Sequence, residues 1–168
     1  MTAVKKRFLI VTLLLATVGL DRITKVIARD RLESAPPISL FGGIVRLDYV
    51  ENPGAFLGLG SGLSETTRFW IFSVLVGGFL IGLFLYVLIN RRLSVIEVAA
   101  FSLILGGGLG NLIDRVLYDY VIDFLVVGIR RLRTGVFNVA DLAITAGVGL
   151  LFLRQIRSAR RQEHQSRS

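Results

Sequence analysis

Asp123 is a carboxylate set in an apolar run. Val121 and Ile122 precede it, Phe124, Leu125, Val126 and Val127 follow it, and no cation is adjacent. Such a group is expensive away from water unless it is protonated or partnered. Its cheapest partner is another carboxyl sharing one proton, and Asp141 is the nearest candidate at the same depth once the spans are placed. Two close aspartates do not both ionise comfortably, so one titrates low and the other high. A water held between them can lose a proton to the ionised one and attack a peptide carbonyl. The protonated one donates to the carbonyl oxygen and then helps the amine leave. This chemistry needs no metal, serine or cysteine. It suits a chain with no cysteine and a single histidine, His164, in the tail. No cofactor and no metal are expected.

Further polar residues gather around these two. Asp21, Arg22 and Lys25 end a first apolar stretch, with Asp21 and Lys25 four apart in the order that favours a pair on one helical face. Asn52 stands in the run Glu51-Asn52-Pro53-Gly54-Ala55-Phe56. Asn111, Asp114 and Arg115 share a face at i, i+3 and i+4, and so do Asn138 and Asp141. Each has a structural reading as well. Asn138 with Asp141 has the form of a helix N-cap with an acid in the first turn. Asp114 beside Arg115 reads best as a structural pair. Gly106, Gly107, Gly108 and Gly110 read as close helix packing, because the lysine of a phosphate loop is missing.

The elements that must position these groups are membrane spans. Hydrophobic residues make up 53% of the 168 residues and charged ones 19%, and the mean hydropathy is +0.67. That composition excludes a disordered chain, a disulfide scaffold, a zinc-thiolate site and a thiol enzyme. Residues 69–90 run without a charge between Arg68 and Arg91. A span needs about 20 mostly apolar residues. The other three segments reach that length only by taking in ionisable residues or their close neighbours. The expected spans are 8–28, 69–90, 94–114 and 136–154, in a single membrane domain covering 1–168.

Positive charge orients the spans. Lys5, Lys6 and Arg7 precede the first, Arg91 and Arg92 link the second and third, and Arg154, Arg157, Arg160 and Arg161 follow the fourth. Four spans place all three clusters on one side, the cytoplasm, with both termini. That side holds 10 Lys/Arg against Glu97 and Glu163, and the other side 10 against 10, so the net +8 sits on one face. The trio Arg130, Arg131 and Arg133 is the blemish, lying outside. The basic tail, 155–168, reads as a topology signal in contact with anionic lipid, not as a nucleic-acid site.

Outside the membrane, Val45, Leu47 and Tyr49 alternate with Arg46 and Asp48, the period of a strand. Asn52-Pro53-Gly54 reads as a turn. Gly58, Gly60 and Gly62 make the next stretch mobile. A small extracytoplasmic sheet is expected over 38–62, with a flexible loop beside it. Two other functions fit some of these features. A proton-coupled carrier would place ionisable groups near the midplane or on both sides of it, but here they crowd one end. A non-catalytic membrane subunit would use the polar cluster for assembly.

Five segments in order carry a resemblance: 20–25, Asn52-Pro53-Gly54-Ala55-Phe56, Gly110-Asn111-Leu112-Ile113-Asp114-Arg115, Val121-Ile122-Asp123-Phe124 and Phe137-Asn138-Val139-Ala140-Asp141. With the four spans, the sequence resembles the signal peptidase II family, bacterial inner-membrane aspartic proteases. The resemblance implies a mainly α membrane protein of four transmembrane helices with a small extracytoplasmic β cradle and a flexible lid. It implies removal of signal peptides from prolipoproteins, just before a cysteine bearing a diacylglyceryl group. It places the catalytic dyad on Asp123 and Asp141. It makes Asn52, Asn111, Arg115 and Asn138 substrate-binding or site-organising, and Asp21, Lys25, Gly54 and Asp114 supporting. The expected partners are diacylglyceryl prolipoproteins and membrane lipids, with no nucleic acid, and the simplest assembly is a monomer. Two departures bear on loop shape: Asp119 stands where a glycine is common, and the Arg130–133 stretch is unusually basic.

Overall fold

The computed structural model describes residues 2–54, 59–130 and 132–166, with side chains described as far as 158. Ala55 and Phe56 of the outer-loop motif, Gly58, Arg131 and the tail side chains from 159 onward lie outside the described residues.

Four long helices form the body. Helix α1 spans Ala3–Leu32. It buries Ile10, Thr17, Asp21, Lys25, Ala28 and Leu32 at helical spacing, while Phe8, Val11, Leu15, Ile23 and Val26 face outward. At 1.5 Å per residue, its length of about 45 Å exceeds the ~30 Å hydrocarbon layer. Helix α2 covers Glu65–Ile89, α3 Val95–Tyr118 and α4 Val139–Ser166. Among the described residues, α2, α3 and the 139–158 part of α4 are long and apolar enough to cross a membrane. The N-terminal helix is not among these three; it is charged at both ends, and its inner face carries the ion pairs described below.

Helix α3 is central: 44% of its apolar window is buried, against 11% in α2 and in α4. Its glycines are what allow that position. A Cβ on Gly107 would stand 2.3 Å from the Ala140 carbonyl oxygen of α4, and one on Gly110 would stand 2.6 Å from Asp21 Oδ2 of α1. The glycine cluster is therefore a packing surface on which two helices lie with backbone proximity. A core of Ile10, Leu80, Val87, Val98 and Leu105 fills the bundle between α1, α2 and α3.

An antiparallel sheet caps one end. Its order is β1 (Ile38–Leu40), β2 (Val45–Asn52), β3 (Val121–Ile129), β4 (Leu132–Arg133). Half of the sheet thus comes from 121–133, beyond the region where alternation predicts strands. Residues 121–124 are buried whichever way they face, so their sequence shows no alternation to read. The β2–β3 register passes from Leu47↔Leu125 to Val50↔Asp123, so β2 carries one extra residue. This bulge reverses the alternation after Leu47 and puts Val50 and Asn52 on the face of Asp123. Asp119, at the end of α3, has φ 64, the left-handed conformation that favours glycine and that aspartate tolerates. The departure at that position therefore leaves the turn into β3 intact.

Candidate active site

The elements deliver their polar side chains to one level, where the helices meet the sheet. Asn52 opposes Val121 in the ladder, which makes Asp123 its diagonal neighbour on the same face. Its Nδ2 donates to Asp123 Oδ2 at 2.9 Å, and its Oδ1 accepts from the Gly54 amide at 3.0 Å. Gly54 in turn accepts from Arg115 Nη2 at 3.0 Å, so Asn52-Pro53-Gly54 is a turn tied to both the sheet and α3.

Asn138 is the junction of the site. Phe137 is held against β3 by paired backbone bonds with Leu125, of 2.8 and 2.9 Å, and α4 begins one residue after Asn138. The Asp141 amide donates to Asn138 Oδ1 at 3.0 Å, and the Asn138 amide donates to Asp141 Oδ2 at 3.3 Å. This is a reciprocal N-cap. The same Asn138 side chain donates through Nδ2 to Asp123 Oδ1 at 2.6 Å, and also reaches Asn111 Oδ1 at 3.1 Å. The capping role and the role at the site belong to one side chain. Asn111 Nδ2 donates to Asp141 Oδ1 at 2.9 Å.

The two aspartates are joined through amides. No hydrogen bond links them directly among the described residues, which differs from the shared-proton contact that Asp123's surroundings suggest. Asn52 and Asn138 supply the partners instead, one from the strand beside it and one from the start of α4. Asp123 is 3% exposed. Burial, reinforced by the charge of Asp141, pushes its carboxyl up to about 6 despite the donors from Asn52 and Asn138.

Behind the amides lies a buried ionic layer. Lys25 Nζ is 2.8 Å from Asp21 Oδ2, 2.8 Å from Asp114 Oδ2 and 2.9 Å from Asn111 Oδ1, with both aspartates and the lysine fully buried. Asp21 Oδ1 accepts from the Ala140 amide at 2.9 Å, Asp114 Oδ2 accepts from the Ile122 amide at 3.2 Å, and Arg22 pairs with Asp114 Oδ1. One cluster therefore ties α1, α3, β3 and the start of α4 together. Asp114 pairs with α1, not with its neighbour Arg115, which corrects the expected structural pair. Successive residues on a helix point about 100° apart, so Asp114 faces α1 while Arg115 faces α2 and the outer turn. The Arg115 guanidinium lies over the Phe72 ring at 5.5 Å, and its buried Nε has no hydrogen-bond partner among the described residues.

Two cavities lie at this level. One, of about 390 Å³, lies between α2, α3 and α4, with Asn111, Arg115 and Asp141 among apolar Val76, Ile144 and Val148. The other, of about 320 Å³, lies under the sheet and is lined by Val50, Asn52, Pro53, Asp123 and Val136. Each aspartate faces one of them. No group of three or more His, Cys, Asp and Glu side chains among the described residues has the arrangement of a metal site.

All ten site residues singled out in the sequence come together here. Phe72, Val76, Ile144 and Val148 were not singled out, because an apolar residue in a span carries no local mark of lining a groove. Phe72 lies in a segment, Phe69–Leu75, wound as a π-helix, which turns it toward Arg115.

Helices that cross a membrane, a small sheet at one end and a pair of amide-linked aspartates between them define a polytopic membrane protein with a paired-carboxylate site. Residues 13–157 match the family described as Signal peptidase (SPase) II. The lipoprotein signal peptidase of Halalkalibacterium halodurans is 33% identical over 147 residues, covering 88% of this chain and 91% of that protein. That of Gloeobacter violaceus is 38% identical over 144 residues, covering 86% and 79%. A solved bacterial membrane enzyme, determined by the in meso method at 2.3 Å, superposes with a TM-score of 0.78 at 27% identity, covering 89% of this chain and 88% of its own. The chain belongs to the signal peptidase II family of membrane aspartic peptidases.

Proposed function

We propose that this chain removes signal peptides from prolipoproteins whose cysteine carries a diacylglyceryl group, cutting just before that cysteine, with Asp123 and Asp141 as the catalytic pair. The observation that carries the reading is the placing of two aspartates, held by three asparagines, between a groove open to the helices and a cavity under the sheet. An extended peptide crossing from one to the other brings its scissile bond over both carboxyls. The groove, apolar except at its polar floor, suits the signal-peptide helix and the lipid chains.

In this mechanism Asp141 takes a proton from the attacking water, whose oxygen bonds to the carbonyl carbon. Asp123, raised toward neutrality, gives its proton to the carbonyl oxygen. The C–N bond then breaks, the amine leaves with a proton returned from the pair, and a carboxylic acid remains on the signal peptide. A bound substrate excludes water and raises Asp123 further, which favours its role as the acid. Asn52 and Asn138 orient Asp123, and Asn111 orients Asp141. Arg115, whose Nε–H has no partner among the described residues, can offer it beside the groove to the substrate backbone. Asp21, Lys25, Asp114 and Gly54 hold the elements in register.

The charge distribution supports an orientation with both termini cytoplasmic and the aspartates near the outer face of the bacterial inner membrane. The expected partners are lipidated prolipoproteins and membrane lipids, not nucleic acid, and the protein is expected to work as a monomer. The test is a gel-shift assay with purified protein and a prolipoprotein supplied with or without its diacylglyceryl group. Cleavage of the lipidated form alone supports the reading. Equal cleavage of both forms, or of neither, overturns it.

A further inference from the structure

A second site lies at the opposite end of the bundle from the aspartates. Lys6 and Asp21 are fifteen residues apart on α1, about 22 Å along the axis. There Lys6 Nζ donates to the Asn90 carbonyl oxygen at 2.7 Å, which fastens the start of α1 to the end of α2. Around this fastening is a cavity of about 630 Å³, lined by Lys6, Arg7, Leu88, Ile89, Arg91 and Leu93. Its size is that of a ligand pocket. Among the described residues its lining has three cations and no acid.

The cations are not equivalent. Lys6 is 8% exposed and is occupied with the carbonyls at the α2 terminus, where the helix dipole is negative. Arg7 and Arg91 are exposed and make no ion pair among the described residues, whereas Arg154 nearby in charge character pairs with Glu97. Two free guanidiniums therefore flank one cavity whose remaining wall, Leu88, Ile89 and Leu93, is apolar. A guanidinium pair matches a phosphate diester geometrically. The apolar wall at the end of a membrane helix matches the first methylenes of an acyl chain.

We propose that this cavity binds the headgroup of an anionic phospholipid, with Arg7 and Arg91 on the phosphate and Leu88, Ile89 and Leu93 against the chains. The lipid bridges α1 and α2 at the end where Lys6 fastens them. It is a structural ligand of the bundle and is separate from the lipid borne by a substrate. The site stands on its own cavity and charges, independently of the proposed reaction.

The test uses the full-length protein in neutral detergent, titrated with short-chain phosphatidylglycerol, short-chain phosphatidylcholine or inorganic phosphate, with the thermal midpoint and native mass spectrometry as readouts. Phosphatidylglycerol should raise the midpoint of wild type, and the other two should not. At roughly fivefold per basic residue, Arg7→Gln with Arg91→Gln should weaken its binding about 25-fold. Arg92→Gln with Arg157→Gln, which removes the same charge outside the cavity, should bind as wild type does. Both altered arginines of the site are exposed, so folding, and cleavage measured without added phosphatidylglycerol, should persist. If the double variant does not fold, each single variant should show its own fivefold loss. Equal weakening in both double variants would reduce the effect to surface charge and overturn the proposal. An equal response to phosphatidylcholine, or to phosphate alone, would also overturn it.

Discussion

Asn138 accepts from the backbone of Asp141 through one end of its amide and donates to the carboxylate of Asp123, at 2.6 Å, through the other. A single side chain thus sets the start of α4 and the distance between the two acids. Replacing it by alanine should cost about 1 kcal/mol through the lost cap. It should also lower kcat by about a hundredfold, because both carboxyls lose their orientation. Thermal unfolding and single-turnover cleavage measure the two effects separately. A variant with the stability loss and an unchanged kcat would leave Asn138 as a cap alone.

Asp123 has a raised carboxyl, near 6 against an ordinary 3.8. The folded protein therefore holds this proton over a pH range in which the unfolded chain has released it. Stability from this group is complete below about pH 4 and is lost as pH rises through 6. With Asp123 as the acid, kcat/KM of the free enzyme should also fall as pH rises through about 6, tenfold per unit beyond it. Asp123→Asn should remove the corresponding component of the pH–stability curve. A rate profile flat from pH 5 to 8 would contradict the assignment of the proton to Asp123.

Lys25 neutralises two buried aspartates at once. Lys25→Met leaves Asp21 and Asp114 facing each other with Arg22 as the remaining ion-pair partner among the described residues, and should destabilise the protein by about 3–5 kcal/mol. Its unfolding midpoint in detergent should drop sharply, with activity lost alongside. A midpoint within a degree or two of wild type would mean that the ionic layer contributes little.

Gly107→Ala tests the packing that brings α4 to the site. The added methyl meets the Ala140 carbonyl at 2.3 Å, a backbone atom that moves only with α4. The expected result is a lower thermal midpoint and at least tenfold lower activity. Gly82→Ala, where a Cβ meets nothing within 4 Å, is the control and should be neutral or slightly stabilising.

The polar half of this protein was legible in its sequence because polarity in an apolar chain is costly and therefore informative. Asp123 in its apolar run, and Asn111 with Asp114 on one helical face, point to a common level from the sequence alone. The role of β3 was not legible. A strand buried on both faces looks like any apolar run, and only the partner strand decides its register. The bulge after Leu47, which aims Asn52 at Asp123, left no mark on the alternation of 45–49. The groove wall of Val76, Ile144 and Val148 is likewise indistinguishable in sequence from the lipid-facing surface beside it. The amides between the aspartates were visible as residues but not as links, because Asn138 meets Asp123 only when Phe137 is seated on Leu125.

The central claim is that Asp123 and Asp141 perform the chemistry together, and the most direct measurement is cleavage by the two isosteric variants. Asp123→Asn and Asp141→Asn, each purified and shown to keep its thermal transition, should fail to cut a diacylglyceryl prolipoprotein that wild type cuts to completion. The loss should exceed a thousandfold in each. Normal turnover by either folded variant would contradict the pair and move the chemistry elsewhere in the protein.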